Sequence, residues 1–463
     1  MNAHALPVRF ARVFASLCTL TLVPMGRALA QTPAPMRVDT QTTHHWGGTY
    51  DGSSWLNAVG NLQEAIDNQF AGGEIWVKEG TYSPLTQLTG FVISKQLSLY
   101  GGFHGDELYL SDRHGSFANT LLNGNQCEHA VSIPQVAGST VIVLDGFRIA
   151  YGHASGSGGG ILCQGWDLNL ANCFVDTNFA TNQGGGLYFD GTGIGNPALL
   201  YHTLLIKTTS FTSNHVDDFD GGGIYATHVR GKAVNCYFSS NVAPQYGGGV
   251  FLGSMDPPDR FDFTNSVFLS NSAANPAPQG RGGAIYLDSG SANSTLVNCT
   301  LASNSAADNS GGQAVYIKVG GQAHFYNSIL YFNSWSAITP TIVGVAAAEF
   351  SDIQDTTLGN GNINSDPAFR SLSGGNLRLK FNTQSNPVVV SPCLDRADYG
   401  RIPTDDLDVD NDGSTTEIIG IDLDKAPRTV DLLPNTYAPN LGVGYPGCPT
   451  CSGGYLDMGA YER

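Results

Sequence analysis

A chain of 463 residues with 58 glycines and only 22 lysines and arginines reads as a strand-and-turn protein poor in helix formers. Its formal net charge of −17 excludes nucleic acid and anionic lipid as partners, since both would be repelled. After the first thirty residues no segment is apolar over the roughly 18 residues a membrane span needs, so the mature chain is expected to have no transmembrane segment.

Residues 1–30 read as a signal peptide. Arg9 and Arg12 make a basic start, 13–23 an apolar run too short to cross a bilayer, and Ala28-Leu29-Ala30 a small-residue cleavage site. The expected location is secreted, periplasmic or cell-surface associated. Removing three arginines and no acid leaves the mature chain more acidic still.

Next, apolar residues at 56, 59, 62, 66 and 70 predict an amphipathic helix near 55–70. Laid across an open solenoid end, such a helix would cover unpaired strand edges. Strand-like runs follow at 74–78, 91–100, 141–144 and 147–150, divided by Gly and Asn turns.

Residues 158–333 carry the clearest repeats. Phe-x-x-Asn or a close variant recurs at Val175–Asn178, Phe211–Asn214, Phe238–Asn241, Phe268–Asn271, Leu301–Asn304 and Leu330–Asn333, with Asn-to-Asn spacings of 36, 27, 30, 33 and 29. Between them fall glycine-led strand starts such as Gly184-Gly185-Gly186-Leu187-Tyr188 and Gly221-Gly222-Gly223-Ile224-Tyr225. A period of this size marks a solenoid, whose units bury their apolar faces only by stacking. Successive units run the same way, so the sheets are parallel and the connections right-handed. The predicted fold is all-β: a single-stranded right-handed parallel β-helix with an N-terminal helical cap and an irregular C-terminal segment. Less regular coils are expected at 342–346, 353 and 377–381.

Strand alternation assigns the faces. Ile161, Leu187, Ile224, Val250, Ile285 and Val315 point inward. Tyr188, Tyr225, Phe251, Tyr286 and Tyr316 form an outward row at ~4.8 Å steps, able to stack on sugar rings or an apolar protein surface. Alternatively, a neighbouring loop covers them or they only stabilise coil stacking. The Asn of each Phe-x-x-Asn fits a left-handed turn, and in register it can bond the Asn above and below.

Cys173, Cys236 and Cys299 share one register but lie two coils apart, about 9.6 Å at the ~4.8 Å strand spacing, beyond the ~7 Å Cα limit of a bridge. They read as buried thiols. Cys448 and Cys451 are the expected disulfide, with Cys393 as a competitor.

The densest candidate for acid–base chemistry is Asp217, Asp218 and Asp220, with His228, Arg230 and Lys232 roughly one strand later. The plain reading of the same residues is a solvated inter-coil turn. Basic residues in the coils share no register, which counts against a lyase.

From residue 391 proline becomes frequent and the repeat stops. Asp408, Asp410 and Asp412 before Gly413 match the opening of a calcium loop, with oxygen ligands at alternate positions. Its twelfth position is Ile419 where a bidentate Glu is expected, so Glu417 or Asp422 would have to close an irregular structural Ca2+ site. The expected division is a signal over 1–30, a β-helix over 31–390 and a capping or anchor-like segment over 391–463.

The glycine-led strands and Phe-x-x-Asn turns resemble the repeats of polymorphic outer membrane proteins and the pectin-lyase-like families. The front end, with Glu74-Ile-Trp-Val-Lys-Glu-Gly-Thr-Tyr82 and Tyr100-Gly-Gly-Phe103, looks like bacterial secreted β-helix proteins. The tail, from Ser391-Pro-Cys-Leu-Asp395 to Asp457-Met-Gly-Ala-Tyr461, is similar to choice-of-anchor segments. The resemblance implies an exported, surface-associated, non-catalytic solenoid that binds or adheres, with a polysaccharide or a surface protein as partner. The alternative is a polysaccharide-degrading hydrolase or lyase on the same scaffold.

Overall fold

The computed structural model describes residues 34–41, 50–85, 89–138, 140–193, 201–253, 260–288, 293–333, 341–344, 346–355, 359–382, 389–409, 413–419, 421–425 and 456–461. The glycine-led units wind into a right-handed parallel β-helix. Each coil of the regular part contributes one strand to each of four parallel sheets. In the coil opening at Ile161–Gln164, the chain passes through Asp167–Ala171, Phe174–Asp176 and Phe179–Ala180 before the next coil begins at Leu187–Asp190. Asp167–Ala171 belongs to sheet I, of eleven strands, and Phe174–Asp176 to sheet II, of ten. Phe179–Ala180 belongs to sheet III, of six, and Ile161–Gln164 to sheet IV, of nine.

The inward rows are those that alternation demands. Ile161, Leu187, Val250 and Val315 are 0% exposed, as are Val175, Phe211, Phe238 and Phe268 of sheet II. Register is exact to the residue, with Tyr188 beside Tyr225 and Tyr225 beside Phe251. Between sheets II and III, Asn178, Asn214, Asn241, Asn271, Asn304 and Asn333 form a buried ladder. Each Nδ2 donates to the next Oδ1 at 2.9 to 3.0 Å. These amides satisfy backbone groups at a corner where sheet pairing lapses.

The ladder asparagines are not the left-handed residues the turn reading assigned. The preceding residue takes that conformation, with Ser213, Ser240 and Ser303 at φ 55, 54 and 57. The other left-handed corner falls on Asn172, Asn235 and Asn298 at φ 50, 54 and 52. An asparagine that must aim its side chain along the axis keeps ordinary backbone angles; the strain moves one residue upstream.

Glycine is required where coils meet closely. Gly221 turns at φ +69, and a Cβ on Gly222 would lie 2.5 Å from the Gly248 carbonyl oxygen and 2.6 Å from the Val242 backbone. No side chain fits there.

The N-terminal helix is shorter than the apolar spacing suggested, spanning Leu62–Asn68. Asn61 caps it by accepting the Glu64 N–H at 3.0 Å, which fixes the start and leaves Leu56 in a turn, 73% exposed. Leu62, Ala65 and Ile66 enter the core at this end. Cys173, Cys236 and Cys299 are buried free thiols. The Cys236 N–H donates to Ser266 Oγ on the next coil at 3.3 Å, so thiol and hydroxyl rows alternate. Residues 1–30, Cys448 and Cys451 lie outside the described residues.

Parallel pairing between strands ends at Asp352–Ile353. Asn376–Leu379, expected as a further coil, instead pairs antiparallel with Phe369–Ser371. The C-terminal segment then runs back along the outside of sheet II rather than closing the last coil alone. Its Leu394, Ile402, Leu456 and Met458 cover the outward-facing Val267, Leu269 and Ile329.

Candidate functional site

The outward aromatic row of sheet IV is a continuous stack. Ring centroids step by 5.3 Å from Tyr188 to Tyr225, 4.8 Å to Phe251, 5.3 Å to Tyr286 and 5.1 Å to Tyr316. It is not an open platform. Phe251 is 5% and Tyr286 4% exposed, and only Tyr188, Tyr225 and Tyr316 are half-buried. Side chains from the preceding turns supply cover. The Tyr246 ring stacks on Tyr286 at 4.5 Å, while Arg281 lies 5.0 Å from the Tyr316 ring centre and donates to its hydroxyl at 3.0 Å. Burial pushes the Tyr225 and Tyr286 phenols up. The buried middle of the row acts as structure, so Phe251 and Tyr286 offer no ring face to a flat ligand.

The acid–base candidates do not converge. Asp217 and Asp218 are exposed; Asp217 lies 3.1 Å from His215 Nε2. Asp220 is buried and accepts the Tyr246 N–H at 3.1 Å; desolvation pushes its carboxyl up to about 7. His228 follows the strand Ile224–Thr227 that Asp220 precedes, so about 13 Å of strand separates them at ~3.3 Å per residue. Its Nδ1 contacts Thr192 Oγ1 at 3.1 Å and Asp190 at 3.6 Å. Arg230 sits over Tyr201 at 3.5 Å, and Lys232 pairs with Asp406 of the C-terminal segment. The expected catalytic cluster is scattered, because sequence neighbours at the two ends of a strand serve different edges of the sheet.

The structure instead brings together a groove of about 640 Å³ on the outer face of sheet I. Its floor is Val143, Asn169 and Leu205, three residues in one lateral register. One wall is Leu110, Ser111, Arg113 and Phe117; the other is Leu407 and Lys425 from the C-terminal segment. Arg113 is held by Asp145 at 2.9 Å and lies 5.0 Å from the Phe117 ring centre. Asn172 Nδ2 donates to the same Asp145 oxygen at 3.0 Å. Lys207 Nζ donates to the carbonyls of Leu407 at 3.2 Å and Asp408 at 2.6 Å, tying the second wall to the coils. Lys425 is exposed at the rim. Three cations, amide groups and an aliphatic floor in a concavity of this size suit a polar ligand with apolar faces.

Of the proposed calcium ligands, Asp408 is described. Its Oδ1 accepts the Gly413 N–H at 3.2 Å, and Asp410 and Asp412 lie outside the described residues. Asp406 of the acidic run pairs with the coil lysine Lys232, while Lys207 reaches the run's backbone carbonyls.

Sequence reasoning missed the groove. Its walls stand some three hundred residues apart in the chain, and nothing local marks Arg113 and Lys425 as neighbours of one cleft. No protein-family model matches the chain, and no curated protein matches it. Among solved structures it is similar to the crystal structure of pectate lyase Pel9A, at 15% identity over 93% of this chain and 97% of that one, with a TM-score of 0.43.

Proposed function

We propose that this chain is an exported, surface-associated solenoid that binds polysaccharide without cleaving it, with the sheet I groove as its binding site. The carrying observation is the lining of that groove. Arg113, Lys207 and Lys425 line it beside Asn169 and the aliphatic floor, in a protein whose net charge is −17. Sugars are held in this way, by hydrogen bonds to hydroxyls and by apolar ring faces laid on aliphatic surface. Hydrolysis of a glycosidic bond calls for two carboxylates within ~10 Å on either side of it. Among the described residues that line the groove Asp145 alone is acidic, and it is already engaged by Arg113 and Asn172. The leader-like residues 1–30 and the likeness of the repeats and tail to surface proteins support export and surface association.

The test is calorimetric titration of the purified chain against a panel of neutral and acidic polysaccharides, alongside an assay for reducing ends and unsaturated products. Binding weakened about tenfold or more by Asn169→Ala with Lys425→Ala, and no product, is expected. Asp220, buried with its carboxyl raised to about 7, is the residue that favours the enzymatic alternative. Product release abolished by Asp220→Asn would replace the binding reading with the hydrolytic one.

A further inference from the structure

Lysines and arginines of this acidic chain commonly sit on an acid, as Lys78 does on Asp39, Arg148 on Asp176 and Arg281 on Asp308. Arg370 and Lys380 do not. Among the described residues neither side chain has an ion pair or a hydrogen bond, and both line one cavity of about 390 Å³ beyond the last parallel coil. The antiparallel hairpin that carries them sets their direction. Phe369 and Leu379 oppose each other and are buried, so alternation turns Arg370, Arg378 and Lys380 to the other face. The Lys380 N–H donates to the Ala368 carbonyl at 2.9 Å, which keeps Lys380 in the ladder. Arg370 and Lys380 are therefore diagonal neighbours, about 7–8 Å apart at Cβ, a span that two long side chains can close around one group. Arg378 on the same face is taken by a forked ion pair to Asp424. Asp366 also lines the cavity, but its Oδ1 accepts the Ala368 N–H at 2.7 Å and it pairs with neither cation. Phe332 forms an apolar wall, its ring centre 6.2 Å from that of Phe369. Ser371 Oγ accepts the Gly374 N–H at 3.2 Å, which leaves its own O–H to donate.

Two neighbouring cations without an acid repel each other, and an anion set between them removes that cost. The guanidinium fork grips two oxygens of one oxyanion, and the lysine ammonium meets another as a point charge. A phosphate ester offers three free oxygens and about −1.5 to −2 of charge at neutral pH, enough for both cations. A carboxylate, with two oxygens and one charge, would leave one of them unmet. We propose that this cavity binds a small phosphate monoester, with Arg370 and Lys380 on the phosphate, Ser371 donating to it and Phe332 against the apolar face of the ligand. A cavity of this volume lies at the small end of ligand pockets and holds one sugar-sized molecule. It shares no lining residue with the sheet I groove, so it stands apart from the polysaccharide reading.

The test is calorimetric titration of the full chain with glucose 6-phosphate, glucuronate and glucose, three probes of one size that differ in their anionic group. Glucose 6-phosphate should bind saturably with a Kd of about 1 mM or tighter, glucuronate at least about tenfold more weakly, and glucose not measurably. Arg370→Gln with Lys380→Gln should weaken glucose 6-phosphate about tenfold or more, whereas Lys318→Gln, an exposed cation elsewhere, should bind like the wild type. Arg370→Lys keeps the charge but loses the fork, and should fall between the wild type and the double variant; if the double variant fails to fold, this single exchange must still show the weakening. No saturable binding of glucose 6-phosphate up to about 10 mM, unchanged affinity in the double variant, or glucuronate bound as tightly as the phosphate ester overturns the proposal.

Discussion

Asn241 shows how much one side chain does in a solenoid. Its Oδ1 accepts from the backbone and side-chain nitrogens of Asn214, while its Nδ2 donates to the Phe211 carbonyl and to Asn271. A buried amide thus serves three coils, and the same geometry repeats along the stack. Asp220 is the opposite case, an acid buried with one backbone donor, and the sign of its effect on stability is unusual for a carboxylate. Its folded-state value, about 7, lies above the ordinary 3.8, so the folded protein keeps a proton that the unfolded chain has released. Stability therefore falls as pH rises from about 4 to about 7. Asp220→Asn should remove that fall. Thermal melts across pH are expected to show the variant above the wild type at pH 8 and level with it below about pH 4; parallel curves would contradict the assignment.

At the scale of the element, the aromatic row of sheet IV and the phenylalanine row of sheet II are stacked alike. Phe211 and Phe238 lie 5.3 Å apart, and Phe251 and Tyr286 also 5.3 Å. The one row is interior and the other nominally exterior, yet both are buried at their centres, because the turns before sheet IV fold back over its outer face. Phe251→Ala should therefore cost about 3–5 kcal/mol of stability in urea unfolding and leave polysaccharide affinity unchanged. Lost affinity with unchanged stability would return the row to the role of ligand platform.

Over the whole molecule, the C-terminal segment covers Val267, Leu269 and Ile329, which alternation along sheet II turns away from the interior. Ion pairs also join the segment to the coils on sheet I, Lys232–Asp406 and Arg401–Glu349. Truncation after residue 390 should uncover that apolar strip and delete Leu407 and Lys425 from the groove. Self-association in light scattering together with lost polysaccharide binding is the expected result; a monodisperse product that still binds would show the groove to need neither.

The period, the inward rows, the aligned aromatic row and the Asn ladder were legible from residues alone, since each depends on spacing along a regularly wound chain. Three things were not. The left-handed corner moved by one residue, because backbone strain and side-chain aim compete at a turn. Residues 377–379 turned antiparallel, because short apolar strands look the same in either pairing. The groove escaped notice because residues 110–117 and 407–425 meet only through the winding of the coils between them. Local spacing decides which way a side chain faces on a coil; which distant segment lies against that face is decided by tertiary contact, and here those contacts both closed the aromatic row and opened the groove.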